Sequence, residues 1–434
     1  MSAATGAAQP AATESPTTAG HIVVLGAGQA GQQTAASLRE HGHQGRITVI
    51  GDEGVLPYER PPLSKAYLKG EADEDRLWLR PETFYERNAI ERVTGTAVAI
   101  DRTARTVRLA DGTLHPYDHL VLATGARPRT LPVPGSDLHG IRTLRTLEDA
   151  RLLRKDLAGA AHVVVVGAGF IGLEFAAAAQ ELGHRVTVVE ALDRPLARVA
   201  SAPTAAHFTR VHREHGNELL LGQGVSAFHG DGEGRVAAVE LTDGRRLPAD
   251  LVLVGAGVMP CTELAEAAGL TVAGGVVTDH RLLTGDPRIS AVGDCAVFPH
   301  PRADAPLRIE SVQNAVDHAR LVADRLTGGV RTYDDLPWFW SSQFSTTLQI
   351  AGLGHTADSE LVLGDPDGGA FSVLLFRDGE LVAVESVNRP ADHMAARRML
   401  TGGILLSPWE AAADGFTLRA HLKSHTTRRV PVAA

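Results

Sequence analysis

Six glycines, set twice in one spacing, carry the first chemical signal in this 434-residue chain. Residues 22–31 read IVVLGAGQAG and residues 163–172 read VVVVGAGFIG, so Gly26, Gly28 and Gly31 recur as Gly167, Gly169 and Gly172. Each triplet follows an apolar, β-branched run. Each is followed by a second such run closing on an acid, Asp52 after ITVIG and Glu190 after RVTVV. In a strand–turn–helix setting the first glycine makes the turn, the second lets the backbone approach a pyrophosphate, and the third lets the helix lie close to the strand. The helix N-terminus offers unpaired N–H groups and the positive end of its dipole to phosphate. The acid accepts from the adenosine ribose hydroxyls. One such unit is a weak signal, because glycine also marks ordinary turns. Two complete units predict two dinucleotide sites and point to electrons passing between two cofactors.

The elements that must position these loops are legible around them. The first βαβ unit spans about 21–52 and the second about 162–190. In VLPYERPPLSKAYLKG (55–70), Pro57, Pro61 and Pro62 predict a rigid loop and then a short helix from about Ser64. Residues 93–122 alternate polar and apolar around a turn at Asp111-Gly112 and read as a meander of strands, closed by HLVLATG at 119–125. Pro128, Pro132, Pro134 and Gly135 read as a crossover linker, Asp243-Gly244 as a hairpin turn, and DLVLVGAG (250–257) as a strand leading back to the first domain. ISAVGDC (289–295) reads as a buried strand ending on Asp294. From Tyr333 the composition changes to PWFWSSQF, then strands near 348–351, 371–376 and 381–386, then a helix from about Pro390. The expected class is α/β, with two Rossmann-like dinucleotide-binding domains and a C-terminal α+β domain. The discontinuous first domain takes 21–127 and 255–330, the inserted second 128–254, and the third 331–434.

Composition narrows the function. A net charge of −9 argues against nucleic acid as a partner. No apolar run approaches the length of a membrane span. Residues 1–20, rich in Ala, Thr, Pro and Ser, have neither a basic nor an apolar region and read as a disordered extension rather than a signal peptide. Two cysteines, Cys261 and Cys295, with no CxxC, suit a reducing cytoplasm.

PYERPPLSKAYL, ATGARPR, GAGFIGLE, VGDCA, RIESVQNAVDHA, PWFWS and VNRPAD follow one another in this order. Over about 21–410 this set resembles the FAD-containing, NADH-dependent ferredoxin reductases of bacterial cytochrome P450 and Rieske-type dioxygenase systems. The resemblance implies a glutathione-reductase-like fold and a cytoplasmic monomer or weak homodimer. It implies a flavoprotein that takes hydride from NADH onto FAD and passes single electrons to an iron–sulfur ferredoxin, which supplies a P450 or Rieske oxygenase. No metal or protein nucleophile is called for.

The resemblance assigns FAD to the first loop (Gly26, Gly28, Ala30, Gly31), with Asp52 on its ribose and Ala123, Thr124 and Gly125 beside it. Asp294 would accept from the ribitol; a plain capping Asp is the alternative. Arg60, Arg127 and Arg145 match positions near FAD, though each alone would more often be a surface arginine. Val98 and Val312 match flavin contacts and would otherwise be core. Lys65 would lie against the flavin edge that becomes negative on reduction, paired with Glu174 near the nicotinamide; an unpaired buried Lys would be costly. The plainer reading of Glu174 is a helix-surface glutamate favoured by the dipole. Glu310 is a weaker candidate for the same cavity. NAD falls to Gly167, Gly169, Phe170, Ile171 and Gly172. Glu190 would bind the 2′-hydroxyl of NADH and repel the 2′-phosphate of NADPH; Arg194 and Arg198 nearby leave room for some NADPH use. Gly255 and Gly257 would let the chain pass close to the nicotinamide.

Trp338, Phe339 and Trp340 stand in a row, and strand alternation sends one ring one way and two the other. Either tryptophan would stand beside the flavin at the ferredoxin face; plain interface core is the alternative. Arg389, Arg397, Arg398, Arg419, Lys423, Arg428 and Arg429 are candidates for a basic docking patch, or for an ordinary solvated face. Two departures from relatives are Ser342, where Asp is common, and Cys261, where Asn is common. A disulfide reductase needs an early cysteine pair and a single-cysteine oxidase needs one in 55–70; no cysteine precedes Cys261. A rubredoxin or nitrite-reductase partner, or a non-turnover redox-sensing flavoprotein, remains the alternative.

Overall fold

Runs that are apolar after their first residue, such as HLVL at 119–122 and HVVVV at 162–166, need cover on both faces, which parallel sheets with flanking helices provide. The computed structural model describes residues 20–427, so residues 1–19 of the expected N-terminal extension, with Arg428 and Arg429, lie outside the described residues. One five-stranded parallel sheet runs in the order Ile289–Ala291, His119–Leu122, His21–Leu25, Arg46–Gly51, Ile90–Thr94. Helix Gln29–Glu40 covers it and packs against helix Val312–Leu326.

A second parallel sheet runs in the order Glu218–Leu221, Arg185–Glu190, His162–Val166, Leu251–Val254, Ile141–Arg142. The chain leaves the first sheet and returns to it through two short antiparallel partners, Ala126–Pro128 and Val258–Pro260. A third, antiparallel sheet follows in the order Trp338–Gln343, Thr346–Gly352, Glu380–Val387, Ala370–Arg377, Ser359–Asp365, capped by helix Pro390–Thr401. One apolar cluster joins all three: Leu63 and Tyr67, Leu173 and Phe175, Leu348 and Phe371 pack together, each almost wholly buried. No helix among the described residues is long and apolar enough to cross a membrane.

Several local expectations change. No helix starts at Ser64; Pro61–Ser64 form a 3-10 turn that ends there, because the prolines suit a first turn, where a missing N–H leaves no bond unmade. Asp294 does not close a strand. The strand stops at Ala291, and Gly293–Cys295 form a 3-10 turn in which Gly293 takes φ +70°. Of the expected meander, only residues 97–116 are antiparallel; Ile90–Thr94 and His119–Leu122 join the parallel sheet. The edge strand Ser359–Asp365 carries only a three-residue apolar run, in which Leu361 and Leu363 pack inward and Val362 faces solvent.

Candidate functional site

The two glycine loops repeat each other atom for atom where it matters. A Cβ on Gly26 would stand 2.1 Å from the Ala123 carbonyl oxygen, and one on Gly167 would stand 2.5 Å from that of Gly255. Gly28 and Gly169, by contrast, face open space. Both are N-caps without a side-chain hydrogen bond, and neither helix has an acid in its first turn, so the first N–H groups are left for a ligand. The donor set therefore suits a pyrophosphate at each loop.

The acids are not equivalent. Leu25 pairs with Ile50 and Val166 with Val189, so the counterpart of Glu190 is Gly51, and Asp52 stands one residue further, exposed. A Cβ at Gly51 would lie 2.6 Å from that of Ala27, which leaves no room for an acid there. Glu190 instead accepts from Ala168 N at 2.6 Å and Leu192 N at 2.9 Å, reaching into its own glycine loop. Gly255 lies beside Gly172, whose Cα would stand 3.5 Å from a Cβ there, and its carbonyl oxygen backs Gly167. Gly257 takes φ +92° and its carbonyl accepts from Arg129 N, turning the chain into the paired segment. Arg198 is exposed, and Arg194 donates to Ala197 O.

Around the first loop, Arg145 Nη2 donates to Asp294 Oδ2 at 2.8 Å and lies over Gly125. Arg60 pairs with Glu53 at 2.6 Å, stacks on Tyr58 and donates to Arg145 O. Arg60, Arg145 and Asp294 thus converge beside Thr124, whose hydroxyl donates to Cys261 O at 2.7 Å. Ala30 faces Gly293. Val312 opens its helix behind the Ser311 cap. Val98 is 42 % exposed, an apolar side chain turned to solvent. Arg127 joins an exposed pair with Glu263 at 2.5 Å, and Glu310 pairs with Arg308 at 2.6 Å. Burial pushes both the Cys261 and Cys295 thiols up, disfavouring the thiolate form.

Between the loops, Lys65 Nζ lies 2.5 Å from Glu174 Oε2. Glu174 is the fifth residue of helix Phe170–Glu181 and only 6 % exposed, so the surface-glutamate reading is overturned. Its Oε2 also accepts from Ser64 Oγ at 2.7 Å, and its Oε1 from Ser341 Oγ at 2.7 Å. The carboxylate therefore draws donors from the proline turn and the third sheet as well as sitting on the second unit's helix. Sequence reasoning missed Ser64 and Ser341, although both lie inside the quoted motifs PPLSK and PWFWS.

The aromatic row alternates as expected. Phe339 meets Phe170 with ring centroids 4.4 Å apart, while Trp338 and Trp340 lie together at 5.5 Å. Arg397 sits over Trp338 at 4.3 Å. Ser342 bonds Thr347 at 3.3 Å. Arg398, Arg419, Lys423 and His425 line an open cavity of about 490 Å³, whereas Arg389 pairs with the buried Asp392 at 2.8 Å.

Comparison with known proteins agrees with this architecture. The family described as "Pyridine nucleotide-disulphide oxidoreductase" matches residues 20–319, and "Reductase C-terminal" matches residues 338–422. Rhodocoxin reductase of Rhodococcus erythropolis is 48% identical over 405 residues, 93% of this chain and 95% of the relative. The ferredoxin reductase for the CYP199A2 system of Rhodopseudomonas palustris has a similar structure, with a TM-score of 0.90 at 47% identity, covering 92% of this chain and 99% of that one. The reductase in the covalent putidaredoxin reductase–putidaredoxin complex gives 0.91 at 39% identity, covering 94% and 99%. The chain belongs to the pyridine nucleotide-disulphide oxidoreductase family, in the group that carries the Reductase C-terminal domain.

Proposed function

We propose that this chain is an NADH-dependent ferredoxin reductase that passes electrons through FAD to an iron–sulfur ferredoxin serving a cytochrome P450 or Rieske-type oxygenase. We take 21–127 with 255–330 as the FAD-binding domain, 128–254 as the NAD-binding domain and 331–434 as the C-terminal domain; the paired hinge segments Ala126–Pro128 and Val258–Pro260 support that division. FAD, when bound, supplies the conversion between a two-electron hydride and single electrons. The protein supplies position, charge and exclusion of water. In this reading Gly26, Gly28, Gly31 and Asp52 hold the adenosine diphosphate of FAD, while Arg60, Arg145 and Asp294 hold its middle. Gly167, Gly169, Gly172 and Glu190 hold NADH. Lys65 offers positive charge to the flavin edge, and Glu174 orients the nicotinamide.

The observation that carries the reading is the Lys65–Glu174 pair between the two loops, where the buried Glu174 carboxylate on the second unit's helix takes donors from two further segments, the proline turn and the third sheet. An isolated buried charge would be costly, and a buried carboxylate held by one cation and two hydroxyls marks a candidate functional group. Trp338 and Trp340 lie on the strand that runs from this pair, next to Arg397, and mark the exit face in this reading. The cavity lined by Arg398, Arg419 and Lys423 supports an acidic ferredoxin as the partner, and it offers local positive charge on a chain whose net charge is −9. Turnover belongs in the cytoplasm, where two free thiols persist. Anaerobic mixing with NADH in a stopped-flow instrument tests the reading. Rapid bleaching of the flavin, followed by recovery on adding an iron–sulfur ferredoxin, is expected, and recovery slows as salt rises. Flavin that NADH does not bleach contradicts it.

A further inference from the structure

Glu174 ends a buried chain of polar groups that the reading above leaves unused. Beyond Ser341, the Ser341 hydroxyl oxygen accepts from Gln343 Nε2 at 3.3 Å. Gln343 Oε1 bonds His212 Nε2 at 2.9 Å, and His212 Nδ1 bonds Asn217 Nδ2 at 2.9 Å. Ser341 and His212 are inaccessible to solvent, and Gln343 and Asn217 nearly so. His212 lies on helix Ala202–Glu214, Ser341 and Gln343 on strand Trp338–Gln343, and Glu174 on helix Phe170–Glu181.

Donor and acceptor types fix the direction of the chain. Burial holds the His212 pKa down to about 4, so the ring is neutral and carries one N–H. Asn217 Nδ2 only donates, so Nδ1 of His212 accepts and Nε2 donates to Gln343 Oε1. The amide N–H of Gln343 then meets Ser341 Oγ, whose own proton points to Glu174 Oε1. Every donor faces the carboxylate. Apolar side chains would fill such a junction without any need for matched partners. Here the partners match link by link from the second unit, through the third sheet, to the carboxylate beside Lys65.

We propose that Ser341, Gln343 and His212 are positioning residues for hydride transfer: they hold Glu174 in one orientation and tie it to the strand that carries Trp338 and Trp340. With Ser64 and Lys65 on Oε2, Ser341 supplies the bond that stops the carboxylate turning. The inference rests on the reading of Glu174 as the group that orients the nicotinamide.

The test uses the FAD-loaded protein and the variants Ser341→Ala, Ser341→Thr, Gln343→Met and Glu174→Ala. Three quantities are read: the NAD⁺ dissociation constant by calorimetry, the thermal midpoint, and the rate of anaerobic reduction by NADH and by NADH deuterated at C4. Misplacement by a fraction of an ångström predicts that Ser341→Ala and Gln343→Met slow reduction at saturating NADH about tenfold and enlarge the isotope effect. The NAD⁺ dissociation constant and thermal midpoint stay near those of the parent, and Ser341→Thr restores the rate. If both network variants reduce at the parent rate while Glu174→Ala is slow, the positioning network is wrong and the role of Glu174 stands. If Glu174→Ala itself reduces at the parent rate, the reading of Glu174 fails. If the network variants are slow only in step with a lowered midpoint or lost FAD, their role is structural and the inference is overturned.

Discussion

The two glycine loops share their turn geometry and differ in everything around it. Helix Gln29–Glu40 of the first is shut in by helix Val312–Leu326, and its strand ends on Gly51 with Ala27 against it. Helix Phe170–Glu181 of the second packs against the proline turn and strand Trp338–Gln343, and its strand ends on Glu190, bonded into its own loop. Loops of matching geometry thus stand in different surroundings, which in the proposed reading serve one ligand that stays and one that leaves. The difference lies in the second layer of packing and in which residue occupies the end of the second strand.

The comparison breaks most visibly at the pair between the loops. Glu174→Ala leaves Lys65 without its partner and is expected to slow flavin reduction by NADH about a hundredfold; single-turnover kinetics measure this, and an unchanged rate removes the pair from the mechanism. A smaller effect is expected at the strand end. Glu190→Ala frees Ala168 N and removes the carboxylate that the proposed reading sets on the ribose of NADH, so kcat/KM for NADH is expected to fall about tenfold while that for NADPH rises. Steady-state kinetics with both cofactors would show it, and an unchanged ratio would refute the role of Glu190.

The smallest effect is expected on the helix that shuts in the first unit. Burial, and then the charge of Asp335, push Asp317 up to about 6. A carboxyl whose folded pKa lies above its unfolded value supports the fold fully below about pH 4 and loses that support as pH rises through about 6. Asp317→Asn is therefore expected to raise stability at pH 8 by on the order of 1 kcal/mol and to leave it nearly unchanged at pH 4. Denaturant melts at the two pH values check this; an equal shift at both contradicts it.

The loops were legible because their glycines answer to local geometry: each spacing states where a backbone must turn and where a ligand must fit. The register of the acids was not. Both copies end on an acid in the sequence, and only strand pairing reveals that the first carries Gly51 where the second carries Glu190. The Lys65–Glu174 pair was reached through resemblance alone, since nothing local joins residues so far apart in the chain. Ser341, Gln343 and His212 were illegible for the same reason, as common polar residues that become a chain only when the second and third sheets meet. Strand Ser359–Asp365 escaped because its apolar run is only three residues long and its outward residue, Val362, is as apolar as the inward Leu361 and Leu363.

The central claim is that the first loop keeps FAD and the second exchanges NADH. Gly28 and Gly169 both have extended backbones and open space where a side chain would go, so valine at either leaves the ligand-free fold intact while filling the ligand's place. Bound FAD and anaerobic reduction by NADH are then measured on purified Gly28→Val and Gly169→Val. The account predicts that Gly28→Val is isolated without FAD, and that Gly169→Val retains FAD that NADH no longer reduces. A Gly28→Val protein that keeps FAD, or a Gly169→Val protein that loses it, would contradict the account.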